Sequence, residues 1–413
     1  MPEIKTTEIA ILGAGAAGLT AAIRLGQLGI PCLLIDKGEF PRSKICGDGL
    51  SGKTLSALKR LNPQYIDEIG DLATATSSQA ARFFSPRGKM LQLGFRSEDL
   101  SHPPGLICER FHFDHFLYSK AISSGKCGFV ANTRISQITR ENGQMILSDP
   151  DGEKQVRCSL LLFGAEANKG LIRQFHPGYP VTIEEGIGIR GYFDRVMGAD
   201  QLHAIEIHFF RELLPWYFWI FPFADGSANV GLALPESQAR KLDKSLKQIL
   251  FSLIADKPHL KMRFSQASLK GKLEAHRLPV YASGGCPVAG DGFMLIGDAA
   301  RLIDPFTGEG IGNAMVSGFK AAETASKCYK NGDFSFKYTG EYENEIREKL
   351  YPELDLSLKL QNLARKQRLL NLVIGKASKD EKLRDLMSDM LYSTYTKSKL
   401  NHPWFYLKLL TGI

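Results

Sequence analysis

Gly13, Gly15 and Gly18 follow the apolar run of residues 9–12 in G-x-G-x-x-G spacing, and a second apolar run, residues 32–35, ends on Asp36. Each residue type suits one task in holding a dinucleotide. Gly13 permits a tight turn, Gly15 lets backbone approach a pyrophosphate, and Gly18 lets the next helix lie against the strand. Ala14, Ala16, Ala17, Ala21 and Ala22 keep that helix thin. Its N-terminus would aim free N–H groups and a positive dipole end at the phosphates. Asp36, about 20 residues on, is placed to accept hydrogen bonds from ribose hydroxyls. A glycine-rich turn from another α/β unit would not bring strand, glycines, helix, strand and acid in this order.

A second constellation is Leu295-Ile-Gly297-Asp298-Ala-Ala with Asp304-Pro305-Phe-Thr-Gly308-Glu-Gly310-Ile311-Gly312. The strand ends on Asp298, which can bind a polyol hydroxyl. The loop bares amides at a helix start, where they can stabilise negative charge on the N1/O2 edge of a reduced flavin. Alone this would read as a turn with an acidic cap; paired with the glycine turn it reads as the other end of a cofactor groove. Tyr217, Trp219 and Phe221 alternate, so on a strand they share a face and make an aromatic wall for an apolar chain, or for ordinary core packing. Cys46 sits in a basic, glycine-rich loop that would favour its thiolate; the alternative is a small buried residue. Gly47-x-x-x-x-Gly52-Lys53-Thr54 satisfies the P-loop pattern, yet no buried strand leads directly into it, so the match reads as accidental. His112 and His115 flank Asp114 without the further ligands a metal would need, and no metal is expected.

The glycine turn, Arg110…Asp114 and Gly297-Asp298…Pro305…Gly310 resemble the FAD-dependent oxidoreductases of p-hydroxybenzoate hydroxylase type over roughly residues 1–330. Within that group, Pro41-Arg-Ser-Lys44-Ile-Cys46-Gly47-Asp-Gly49-Leu-Ser51 and Tyr217-Phe-Trp219-Ile-Phe221-Pro222 resemble the geranylgeranyl reductase family. The resemblance implies FAD as cofactor, with NAD(P)H or another reductant as electron donor. It implies a cofactor set of Gly13, Gly15, Ala17, Gly18, Asp36, Lys37, Cys46, Gly47, Arg110, Val130, Gly297, Asp298, Gly308, Gly310 and Ile311. It places Tyr217, Trp219, Phe221 and Pro222 against a prenyl lipid, with Cys46 first and Tyr217 second as candidates near the proton path. One departure bears on nicotinamide handling: Gly164-Ala-Glu166-Ala167 stands where the broader group usually has Gly-Ala-Asp-Gly.

The elements that must position these residues follow from periodicity. The 413 residues exceed one ordinary core and predict two or three lobes. The expected fold is α/β (α+β overall): a Rossmann-like FAD-binding domain over 1–64, 106–178 and 272–330, an inserted antiparallel-sheet substrate domain over 65–105 and 179–271, and a C-terminal helical segment over 331–413. Residues 236–262 read as one amphipathic helix, and 311–328 as a small-residue helix. Seven scattered cysteines without C-x-x-C argue for a reducing compartment, so a cytoplasmic location is expected. No apolar stretch is long enough to span a membrane. The net charge of +8 and the tail of residues 404–410 suggest peripheral contact with the inner face of one. Nothing resembles a nucleic-acid module. The expected activity is reduction of carbon–carbon double bonds in a prenyl lipid; the alternatives are a flavin monooxygenase or halogenase on the same fold and, more remotely, a P-loop nucleotide hydrolase.

Overall fold

The computed structural model describes residues 3–95, 103–165, 168–180 and 182–392. Two sheets organise the chain. The first is built on parallel strands β1 (Glu3–Leu12), β2 (Cys32–Ile35) and β3 (Lys154–Phe163), with β1 in the middle. Cys127–Val130 extends it beyond β2, and Phe293–Leu295 beyond β3. The chain leaves β1 towards both sides, so the crevice past its carboxyl end is a topological switch point. Register decides what gathers there. Leu12 pairs with both Ile35 and Phe163, and Phe163 pairs with Leu295. Loops starting at Gly13, Asp36 and Gly164, and the turn at Gly297, therefore open along one edge. Ile9, Ala10, Ile11 and Leu12 are buried, because helices cover both faces of a parallel sheet.

Helices α1 (Ala16–Gln27) and α2 (Ile311–Asn331) cross backbone to backbone. A Cβ on Gly318 would stand 2.1 Å from the Ala17 carbonyl oxygen, and one on Gly18 would stand 2.0 Å from that of Gly13. Small residues at these points bring both helix N-termini to the same edge of the sheet.

The second sheet has seven strands, in the order Ser268–Leu278, Gly186–Asp194, β5 (Ala228–Pro235), β4 (Phe218–Pro222), Ile205–His208, Ala80–Phe84 and Met90–Gly94. Its two faces divide the alternating residues of β4. Phe218 and Ile220 join Val230, Leu232 and the helix Leu246–Asp256 in one core. Tyr217, Trp219 and Phe221 face the other way, towards a cluster that includes Ile207, Leu370 and Ile374.

One local expectation is corrected. Residues 236–262 form Glu236–Ala239, Leu246–Asp256 and Pro258–Arg263 rather than one helix. Ser245 and Gln248 close a capping box that starts the second, and Pro258 starts the third. The second sheet runs past residue 271 to Leu278, while Tyr65, Ile66 and Ile69 pack in the first core. The helices Phe336–Lys349 and Tyr351–Ala364 also enter that core, through Tyr342, Ile346 and Leu354. Residues 404–410 lie outside the described residues, as do Glu166 and Ala167. Among the described residues, no helix is long and apolar enough to cross a membrane.

Candidate active site

One cavity of about 390 Å³ gathers most of the singled-out residues: Gly15, Ala17, Cys46, Gly47, Arg110, Gly297, Asp298, Gly308, Gly310 and Ile311 with Tyr217, Trp219 and Phe221. Gly13, at φ +101°, and Gly18 shape the turn beneath it. Asp36, Lys37 and Val130 lie beyond its lining; the Asp36 N–H donates to the Val130 carbonyl at 3.1 Å. Pro222 ends β4, also outside the lining.

Gly15 opens α1 with no capping side chain, and Gly310 opens α2 in the same way. Neither first turn carries an acid. Two uncapped helix starts thus share one cavity, each with orphan N–H groups and a positive dipole end. At the glycine turn, the Asp36 carboxylate accepts from the N–H groups of Ala14 at 2.7 Å and Gly38 at 2.9 Å. Arg42 reaches the same carboxylate at 3.0 and 3.1 Å. Arg110 clamps Asp114 with both arms of its guanidinium, at 2.7 and 2.8 Å. Burial works against the Arg110 charge, but Asp114 outweighs it and raises the pKa; Arg110 also faces Cys46.

Burial opposes ionisation of Asp298 as well, yet Lys44, at 3.2 Å, outweighs it and holds the carboxyl below its usual range. The following loop is pinned from three sides. Asp304 accepts from the N–H groups of Phe306 at 2.9 Å and Thr307 at 2.8 Å, so those two amides face inward rather than into the groove. Trp216 and Gln361 donate to the Pro305 carbonyl at 2.7 and 2.5 Å. Tyr217 donates its hydroxyl to the Thr307 carbonyl. Burial first, then Asp304, push the Tyr217 phenol well above its ordinary pKa, so it keeps its proton.

The Cys46 loop lies across the aromatic wall. Cβ atoms on Gly47 and Gly49 would stand 3.1 and 3.2 Å from the Phe221 ring. Asp48 between them is fully buried, with φ +67°. Its carboxylate accepts from the Arg110 N–H at 3.2 Å, the Tyr192 hydroxyl at 2.7 Å and the Asn229 amide at 2.8 Å. Burial pushes its pKa up to about 6, and these donors and Arg190 offset part of that rise. Asp48 and Asn229 were not among the residues expected to form the site. A residue flanked by two glycines reads as a turn, and a lone Asn in an apolar strand gives no periodic signal.

The P-loop reading fails on geometry. Lys53 is in the helix Gly52–Leu61, and its ammonium binds Asn313 and Glu353, each at 2.8 Å. It ties α2 to the helix Tyr351–Ala364 instead of reaching a phosphate. Among the described residues no cluster of His, Cys, Asp or Glu could hold a metal.

A family model described as the FAD binding domain matches residues 6–215. The chain is 26% identical over 400 residues to the digeranylgeranylglycerophospholipid reductase of Thermoplasma volcanium, covering 95% of this chain and 94% of that protein. A geranylgeranyl bacteriochlorophyll reductase-like structure from Thermoplasma acidophilum aligns with a TM-score of 0.75 and 23% identity over 96% of each chain. A flavin-dependent brominase aligns with a TM-score of 0.71 and 20% identity, over 96% of this chain and 98% of that one. The two structures share the fold alone. The residues present fit an FAD: a Cβ on Gly15 would meet nothing nearer than the Lys44 ammonium at 3.7 Å, so a pyrophosphate can approach the α1 amides.

Proposed function

This chain belongs to the FAD binding domain family, and we propose that it is an oxidoreductase that saturates carbon–carbon double bonds of a prenyl lipid. The carrying observation is that the aromatic face of β4 and the two uncapped helix starts line one cavity. Bound FAD, once reduced, supplies the hydride. The rest falls to the chain's own residues. The α1 start would hold the pyrophosphate, Asp298 would bind a polyol hydroxyl, and the α2 start would stabilise negative charge on the reduced ring. Tyr217, Trp219 and Phe221 lay an apolar chain along a fixed plane and keep water from it.

An isolated alkene is barely polarised, so a proton must reach the second carbon nearly in step with the hydride. Cys46 is our first candidate on that path, because it lines the cavity beside Arg110. Tyr217 is second, since its hydroxyl proton is engaged by the Thr307 carbonyl. The reductase of Thermoplasma volcanium supports the substrate class through its name. Drawing such a lipid from a bilayer would suit a surface of net charge +8; co-sedimentation with anionic vesicles, set against neutral ones, tests this contact.

The deciding experiment is anaerobic. Photoreduced holoenzyme is mixed with geranylgeranyl lipids or menaquinone. Reoxidation of the flavin with a product two mass units heavier per bond supports the proposal. No saturated product under these conditions, together with substrate-dependent oxygen consumption in a parallel aerobic assay, would instead mark a monooxygenase or halogenase.

A further inference from the structure

We infer that Asn229 is a positioning residue that fastens the aromatic wall to the Cys46 loop; the inference rests on reading that wall as the prenyl-lipid site. Every residue of β5 is buried, and Asn229 is the polar side chain among apolar and glycine neighbours. Its amide makes three hydrogen bonds in three directions. The NH₂ donates to the Cys46 carbonyl and to Asp48 Oδ2, both at 2.8 Å. The carbonyl oxygen accepts from Trp219 Nε1 at 2.9 Å.

Register explains the reach. Trp219 pairs with Gly231 and Phe221 with Asn229, so Asn229 and Gly231 lie on the face that carries the aromatic wall. A Cβ on Gly231 would stand 2.3 Å from the Trp219 ring. The indole is therefore held at both ends, by the Asn229 acceptor at its N–H and by bare backbone under its benzo edge. Gly47 and Gly49 press on Phe221 from the loop side. The wall that would orient an alkene and the loop that carries Cys46 then move as one body.

Such a role differs from merely satisfying buried polar atoms, because it links two groups that must keep register with one reacting bond. The test uses FAD-loaded enzyme carrying N229D, the exchange D48N/N229D, and W219F. Asn229→Asp sets a second carboxylate against Asp48 and removes the donor to the Cys46 carbonyl. The expected result is a fall in kcat on geranylgeranyl lipid of about tenfold or more, with altered visible flavin bands. The exchange restores a hydrogen bond between positions 48 and 229 with its polarity reversed, and keeps an acceptor for Trp219. The Cys46 carbonyl still lacks its donor, so the exchange should recover part of that loss. Trp219→Phe keeps an aromatic ring but loses the indole N–H, and should shift the flavin bands in the same sense with FAD content unchanged.

An exchange no better than N229D, or flavin bands unmoved in N229D and W219F alike, overturns the inference. If N229D fails to load FAD, the exchange and W219F decide. If the wild-type enzyme leaves the lipid unreduced, the proposed function falls, and the tie is judged on the flavin bands alone.

Discussion

At the scale of single residues, the site depends on side chains that are missing as much as on those present. Gly18→Ala would drive a Cβ to within 2.0 Å of the Gly13 carbonyl oxygen, which is backbone and cannot step aside. We expect a loss of about 2 kcal/mol or more and a fall in bound FAD, read by thermal unfolding and by flavin absorbance per protein. Asp48 gives a pH dependence with a definite sign. The groups around it are Tyr192, Arg190, Arg110, Cys108 and Glu109. Its folded pKa, about 6, lies above the ordinary 3.8, so folding favours the protonated form. The stability it contributes is full below the ordinary value and is lost as pH rises through about 6. Between about pH 4 and pH 7 the wild-type holoenzyme should lose up to ~3 kcal/mol that Asp48→Asn does not lose. Denaturant midpoints for the two proteins, measured across that range, check it. Equal slopes would mean that Asp48 titrates near its ordinary value.

At the scale of elements, the glycine turn and the Gly297-Asp298 loop were legible because each is local. Strand, turn and helix start lie within a few residues of one another, and backbone geometry there demands glycine. The alternation of Tyr217, Trp219 and Phe221 was legible too, since period two survives in any half-buried strand. What was not legible is how elements distant in sequence grip one another. Asp48 meets Asn229 across 181 residues, and Pro305 meets Gln361 across 56. The broken helix over 236–262 was missed for another reason: its hydrophobic period continues across caps that only Ser245 and Pro258 mark. A prediction belongs to the helix Tyr351–Ala364, which reaches the loop after Asp298 through Ser357 on Asp304 and Gln361 on Pro305. Gln361→Ala removes a buried donor but leaves Trp216 on the Pro305 carbonyl, so the cost is that of one net hydrogen bond, about 0.5–1.5 kcal/mol. FAD should then dissociate faster while the lipid KM stays near wild type, as stopped-flow flavin release and steady-state kinetics would report.

At the scale of the whole molecule, the cavity lies between two sheets, and Leu370 and Ile374 pack with Ile207, Phe209 and Phe306 of its lining, so cofactor binding and folding are linked. At FAD about a thousandfold above its Kd, the native state gains ~4 kcal/mol over the apoprotein. Stripping the flavin should therefore lower the melting temperature by several degrees, and adding it back should restore it in proportion to the logarithm of free FAD. The fastening of the loop after Asp298 has a further consequence for a chain emerging from the ribosome. Gly13 and its helix leave the tunnel early, but the second donor to the Pro305 carbonyl, after Trp216, arrives only with residue 361. A nascent polypeptide can offer a berth for the adenosine half hundreds of residues before it can close around the ring, so flavin capture comes late in translation.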